Sequence, residues 1–549
     1  MRRSIVLSIA VILATALSAP ATANAAGPGT TVGGELLSGP QDAPAAAAST
    51  TATAQTFTFI GSGDGHGLGM SQWGANGLAQ KGWSYRSILT HFFSGTAVSV
   101  PPKPIKQVRI EITYDQHLVH LTARVAPVVL RVNLPMTGTL VGRIPVGQTW
   151  TVRSMANGYA VRDASGNLVG NRNWGGPVHH LYATYVDHGG RVFVPEADAI
   201  WHQGFTYANG YLEFNEYSCA ARCLERVILP ISFESYLMGI GEMPSSWPME
   251  ALRSQAVAAR TYATYSVKNY GLRASCNCNL TDGANDQTYV GYDKVGGADG
   301  SRWAAAVTST RGQVISYHGN VIQSFFAASD GGHSENVQDA WHDGNPAYAI
   351  PYLKGVCDPG EFAAPGNPWT HWSYAFSPST LTSRLAPYTG GIGTVQSFPT
   401  LAHAEGGRIL HASVQGSTGS ATVTGTELRA ALGLPDDRMW VNRDRNIRGD
   451  IRLQYDATMC RPGLPTTAAV ALPGGARQLF QNGGIYRNRA ANLTVWLRGP
   501  IQVEYVSMGG ATGTLGLPTS RVRGNGHGTI TATFQHGRIT CSGGTCRVS

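Results

Sequence analysis

The stretch at residues 235–263, SYLMGIGEMPSSWPMEALRSQAVAARTYA, constrains this chain more than any other part of it. Glu242 stands between Gly239 and Gly241 on one side and Pro244 on the other, where neither regular helix nor regular strand is comfortable. A carboxylate displayed on an irregular turn is a candidate acid. The residues after it read as a helix, because Pro248 suits a first helical position and Glu250 complements the positive end of the dipole as a cap. Small or apolar side chains recur at Met249, Leu252, Ala256, Ala259, Ala263 and Val267. That narrow stripe at helical spacing predicts very close packing on a neighbour, which would fix the turn before it.

Arg260 lies one turn beyond Ala256 at the edge of the stripe, so its guanidinium is expected to be partly buried and to need an acceptor. Two arrangements are open. Either Glu242 is that acceptor, or Arg260 ties the helix to another loop carboxylate or carbonyl while Glu242 caps the next turn.

YLMGIGEMP followed by PMEALRSQAVAARTYA resembles the sporulation protein D family, the SpoIID/LytB domain, with the glutamate and the arginine at the family's mutual spacing. The resemblance implies a lytic transglycosylase acting on the glycan strands of peptidoglycan, with Glu242 as catalytic acid and Arg260 as its supporting arginine. It also admits a second role, since LytB-type relatives include proteins that activate a partner amidase.

Residues 56–96 hold a second motif, in which a short strand enters the glycine loop 61–69 that carries His66. A helix opens near Ser71 and ends at Gly82, and another starts around Ser84 and buries Ile88, Leu89, Phe92 and Phe93. His66 and Gln72 either line a cleft, or the histidine is satisfied by backbone in a tight turn. GHGLGMSQWGA resembles a signature of the same family, but it precedes Glu242 by about 170 residues instead of closing the domain. The residues that normally lead into it remain at 407–434, so the chain reads as a circular permutation.

Residues 105–215 alternate as strands, expected to form antiparallel structure partly wrapping the helix after Glu242, and residues 226–239 are expected to run as a strand into its turn. A short helix is expected at 302–310, then a hairpin turning at His318, Gly319 and Asn320. The polar loop after it, with Ser329, His333, Ser334 and Glu335, resembles a family segment that faces the glycan. Read from its residues alone it is equally a solvated turn with Glu335 capping the next segment. Trp369 and Trp372 suit either core or sugar platforms. Beyond Cys460, FQNGGIYRN at 480 and FQHGRI at 534 repeat about 54 residues apart and resemble LGFP repeats of bacterial wall proteins. The resemblance implies binding to cell-wall polymers.

Met1, Arg2 and Arg3, the apolar run 5–17 and the small residues 23–25 read as a secretory signal, with 26–55 a flexible lead-in. An exported, wall-associated protein is expected, with no transmembrane anchor. Eight cysteines in such a chain point to disulfides. Cys219 with Cys223, Cys541 with Cys546, and Cys357 with Cys460 are the plausible pairs. A bridge between Cys276 and Cys278 looks strained, and the alternatives open to these two are pairing with Cys219 and Cys223 or, more weakly, binding zinc. No other cofactor is expected. The surplus of 41 basic over 33 acidic residues does not argue for nucleic acid; it suits an anionic wall or an ordinary surface.

The fold expected is α+β: a β-rich SpoIID-like domain at 101–455 with its permuted segment at 56–100, and a small β-rich LGFP region at 466–549. One glutamate suffices for a lytic transglycosylase, because the muramic acid's own 6-hydroxyl replaces water as nucleophile. That acid must rest protonated, which burial against Met243 or Trp247 would favour. A hydrolase would need a second carboxylate, for which Glu234, Asp286 and Glu335 are available. A metallo-amidase is disfavoured, since no HExxH appears.

Overall fold

The computed structural model describes residues 56–155, 158–170, 180–185, 189–197, 203–219, 223–283 and 285–549. The expected signal and lead-in lie outside the described residues, as does the side-chain pairing of Cys219 and Cys223.

Helix and strand are mixed in many small sheets, an α+β architecture. The strand-like text after residue 105 forms two sheets. One has the order Leu280–Thr281, Gln107–Glu111, Cys223–Ser232, Leu212–Cys219, Leu181–Thr184, Val128–Val132, Thr139–Ile144. The other runs Phe205–Tyr207, Arg191–Val194, Val119–Arg124, Thr149–Met155, Gly158–Arg162. Alternation places Val119, Leu121 and Ala123 on one face, and Val128, Leu130 and Val132 on another, all in a single shared core.

Beside this core lie the helices that hold the site. Ser71 caps α1 (Gln72–Gln80) and Ser84 caps α2 (Tyr85–Phe92), each side chain accepting a backbone N–H. Ile88, Leu89, Phe92 and Phe93 are buried as the pattern predicts. Ser232 caps α3 (Phe233–Met238), so a turn of helix, not a strand, leads into Glu242. The long α4 (Met249–Tyr270) comes next, then α5 (Tyr292–Gly296) and α6 (Gly300–Ser309).

α4 is enclosed more completely than its narrow stripe predicts. Ser254, Gln255, Thr261, Thr264 and Ser266 are buried along with Ala256, Ala259 and Ala263. Its chief neighbours are α1, α2, α6 and strand Val314–Tyr317, and the 105–215 sheets reach it mainly through Leu280–Thr281. Ser254 and Thr261 are tolerated there because they find backbone: Ser254 Oγ donates to Glu250 O, and Thr261 Oγ1 donates to Val257 O and accepts from Ile315 N–H, while Gln287 and Ser324 donate from outside the helix to the carbonyls of Ala259 and Ala258. Glu250 sits in the first turn of α4 but caps its neighbour, accepting the Tyr85 N–H of α2 at 2.8 Å.

Strand β1 (Phe57–Gly61) pairs antiparallel with both Trp372–Phe376 and Met439–Val441. The segment that opens the described chain therefore lies against the one just after residues 407–434. Gly65 N–H donates to Pro435 O and Ser62 N–H to Arg438 O in the same junction.

The tail repeats as expected. Pro465 bridges Phe480 and Pro518 bridges Phe534, while Gln481 Oε1 and Gln535 Oε1 accept from Leu464 and Leu517 N–H. Two antiparallel sheets flank helix Gly499–Ser507 around Tyr486, Ile501, Tyr505 and Phe534. No spacer separates this tail from helix Gly449–Ala457: Tyr455 stacks on Phe480 at 5.4 Å and Arg487 pairs with Asp450 at 2.6 Å. Cys357–Cys460 and Cys541–Cys546 are disulfides, as expected. Among the described residues no helix is long and apolar enough to cross a membrane.

Candidate functional site

The turn bearing Glu242 is laced to residues 288–290. Gly241 N–H donates to Thr288 O at 2.9 Å and Val290 N–H to Gly239 O at 2.8 Å. A Cβ at Gly239 would stand 2.5 Å from the Tyr289 ring, and one at Gly241 2.8 Å from Val290 Cγ1, so the two glycines are there for close approach. Glu242 Oε1 accepts the Thr288 N–H at 2.6 Å, and Oε2 accepts from Gln72 Nε2 at 3.3 Å. Gln72, the first residue of α1, also donates to Gln255 Oε1 of α4 at 3.4 Å. Met243 is wholly buried beneath the turn, and Trp247 packs on Trp73 of α1 at 4.6 Å. The carboxylate is closely surrounded yet Glu242 keeps partial exposure.

Burial pushes the Glu242 carboxyl above its ordinary range. The Thr288 N–H, the Gln72 amide and the charge of Lys294 pull the other way, and burial outweighs them. Lys294 of α5, itself buried, donates to Met243 O and is lowered by burial to about 8, with Glu242 opposing that shift. The arrangement is a carboxyl group with an upward-shifted pKa, gripped by two donors and subject to the charge of one lysine.

Arg260 is not the partner of Glu242. Its guanidinium makes a two-pronged pair with Glu234 of α3 at 3.1 and 3.0 Å and donates to Val307 O at 3.2 Å. Only 2% of its side chain is exposed. The second arrangement open to it in the sequence holds for Arg260, which ties α4 to α3 and α6, but not for Glu242, which accepts from Thr288 and Gln72 instead of capping the next turn. Glu234 is thereby committed, and the other two acids are as well. Asp286 holds Arg273, Tyr262 and Thr281, while Glu335 accepts the N–H groups of Asn336, Gly406 and Arg408.

Of the two residues expected from the glycine loop, Gln72 reaches Glu242. His66 is engaged differently: Nδ1 accepts the Leu68 N–H at 2.9 Å and the ring meets Phe325 and Trp341 edge-on. Burial, with Arg408 and Arg429 adding to it, lowers it to about 3, so it is neutral at physiological pH with its proton on Nε2.

The polar loop turns its two serines inward. Ser329 and Ser334 are fully buried; the first hydroxyl donates to Glu361, and the second accepts the Val356 N–H at 2.9 Å. His333 Nδ1 meets Ser334 O at 2.7 Å and burial lowers it to about 4. These side chains hold the loop to itself and to residues 356–361, which polarity alone could not foretell. Trp369 and Trp372 are likewise core, with Trp372 Nε1 donating to Gly63 O.

Cys276 and Cys278 are bonded to each other, not to Cys219 and Cys223. Asn277 between them adopts a left-handed φ of 54° and brings their Cα atoms to 5.1 Å, within reach of a bridge. In a disulfide neither sulfur is a thiolate for zinc. Lys294 and Thr288 are the site residues that sequence reasoning missed. A backbone donor leaves no mark in a sequence, and a lysine in DKVGG reads as surface.

Residues 225–317 match the Stage II sporulation protein family, SpoIID, and residues 463–513 match the LGFP repeat. An uncharacterized protein of Brachyspira hyodysenteriae is 35% identical over 167 residues, 30% of this chain and 41% of that protein. Stage II sporulation protein D of Bacillus subtilis is 27% identical over 214 residues, 37% of this chain and 58% of its own length. The amidase enhancer of Bacillus subtilis is 32% identical over 148 residues, 27% of this chain and 17% of its own length. The chain thus spans under two thirds of each of these relatives. An α+β domain built around a helix-and-turn glutamate is what the fold and site define. A SpoIID domain and, in the tail, an LGFP repeat are present in the chain.

Proposed function

We propose that this chain is a peptidoglycan lytic transglycosylase in which Glu242 acts as general acid and then general base, and that its tail binds cell-wall polymers. The observation that carries the reading is Glu242 itself, partly exposed, raised above its ordinary pKa by burial, and held by Thr288 N–H and Gln72 Nε2. A carboxyl protonated at rest can give its proton to the leaving glycosidic oxygen, and the resulting carboxylate, steadied by the same two donors, can then take the proton of the muramic acid's 6-hydroxyl. Attack by that tethered hydroxyl closes a 1,6-anhydro ring and needs no activated water. The commitment of Glu234, Asp286 and Glu335 to other partners supports this single-carboxylate chemistry over hydrolysis by a pair.

Arg260 enters as a positioning residue. It fixes α3 against α4, and the Glu242 turn joins those two helices. The relative named amidase enhancer motivates the alternative, a wall-binding protein that activates an amidase partner. Mass spectrometry of digested glycan strands separates the readings: anhydro-muramic ends support the transglycosylase, reducing ends a hydrolase, and uncut strands the activator.

A further inference from the structure

The tail carries a cavity of about 720 Å³ that the chemistry at Glu242 does not use. Its walls come from the turn after Phe480, from Trp496 and Arg498, from Gln502 of helix Gly499–Ser507, and from Arg461, which lies just past the disulfide at Cys460. None of its lining residues is acidic, and two are arginines. The Arg498 guanidinium stands 4.5 Å above the Trp496 ring. The scaffold beneath is tied down: Trp496 Nε1 donates to Asn482 O at 3.0 Å, Asn482 Nδ2 to Arg461 O at 3.1 Å, and Leu464 N–H to Gln481 Oε1 at 2.9 Å. Gln502 is 9% exposed and spends its amide N–H on Tyr486, tying helix Gly499–Ser507 to strand Gly483–Asn488.

A one-signed pair of guanidiniums selects an anion. An indole beside them offers an apolar surface to the C–H groups of a sugar ring. A volume of about 720 Å³ is within the size of small-ligand clefts and takes a few sugar units. We propose that this cavity binds an anionic wall glycan, with the phosphate or carboxylate of the sugar held by Arg461 and Arg498 and its ring against Trp496. The proposal rests on the wall-binding reading of the tail and names the chemistry it recognises. Because Arg461 comes from the junction with the preceding domain, the site is complete only with the tail docked as observed.

The test uses the full chain lacking residues 1–25, with Arg461→Gln and Arg498→Ala as variants; both residues are exposed, so folding is preserved. Calorimetric titration with a poly(glycerol phosphate), a uronic-acid polysaccharide and a neutral glucan distinguishes phosphate from carboxylate. Sedimentation with isolated cell walls is measured in parallel. The expected result is salt-sensitive binding of one or both anionic polymers, about tenfold weaker in each variant, and none of the glucan. Variants that bind as tightly as the parent, or equal binding of the glucan, overturn the cavity's role. If the variants still sediment with walls as the parent does, wall binding stands and this site falls; if the parent does not sediment, the wall-binding reading falls with it.

Discussion

Gln72 and Glu242 are 170 positions apart in the chain and 3.3 Å apart in the fold. The amide that opens α1 donates to the carboxylate that closes the α3 turn and to Gln255 of α4, so a single side chain joins the three elements around the acid. Gln72→Ala is expected to lower kcat by roughly a hundredfold through loss of that alignment, with KM little changed. Steady-state kinetics alongside a thermal melt checks this; an unaltered kcat would remove Gln72 from the machinery.

Lys294 is the cation nearest the acid in effect, and its charge holds Glu242 below where burial alone would place it. Under the proposed mechanism the acid must start protonated, so activity is expected to fall as pH rises through the Glu242 pKa. Lys294→Met removes the opposing charge, raises that pKa and moves the alkaline limb of the kcat profile to higher pH. A limb that stays in place, or moves down, contradicts the electrostatics described.

Arg260 is assigned a holding role, and its loss should be read in stability first. Arg260→Ala leaves Glu234 without its cation in a partly buried position and is expected to cost about 3 kcal/mol in denaturant unfolding. Arg260→Lys cannot reproduce the two-pronged pair and should recover only part of it. Full stability in the alanine variant would show the pair to be dispensable.

Several buried acids are shifted upward, among them Glu111 and Glu335 to about 7, in both cases chiefly by burial. A folded-state pKa above the unfolded value means that the folded chain binds the extra proton. That stability is complete below the unfolded value near 4.5 and is lost as pH rises through about 7. The buried histidines act oppositely: His66 and His333, lowered to about 3 and about 4, withdraw stability as pH falls below 6.5. A maximum of melting temperature on the acid side of neutrality is expected, with a decline that is complete by about pH 7 and that Glu335→Gln reduces. A melting temperature that climbs steadily to pH 9 would contradict it.

Local signals in this chain were readable and long-range ones were not. Ser71, Ser84 and Pro248 mark their helix starts because capping depends on residues a turn away. The left-handed pair His318 and Gly319 turns the hairpin where the dipeptide places it. Arg260 shows the limit: its burial follows from helical period, but its choice of Glu234 depends on where α3 lands, and no spacing encodes that. Ser329 and Ser334 show another, since a polar loop whose hydroxyls bond residues 356–361 has the composition of a solvated one. The small-residue stripe of α4 announced close packing without telling that the helix would be surrounded.

The role of Glu242 as proton donor for a ring-closing cleavage stands or falls on one digestion. Purified glycan strands, with and without stem peptides, are treated with the parent chain and with Glu242→Gln, an isosteric change that keeps the Thr288 bond and forbids proton transfer, and the products are read by mass spectrometry. The expected products are 1,6-anhydro-muramic ends from the parent and none from the variant. Equal cleavage by both, or strands left intact by the parent, would contradict that role.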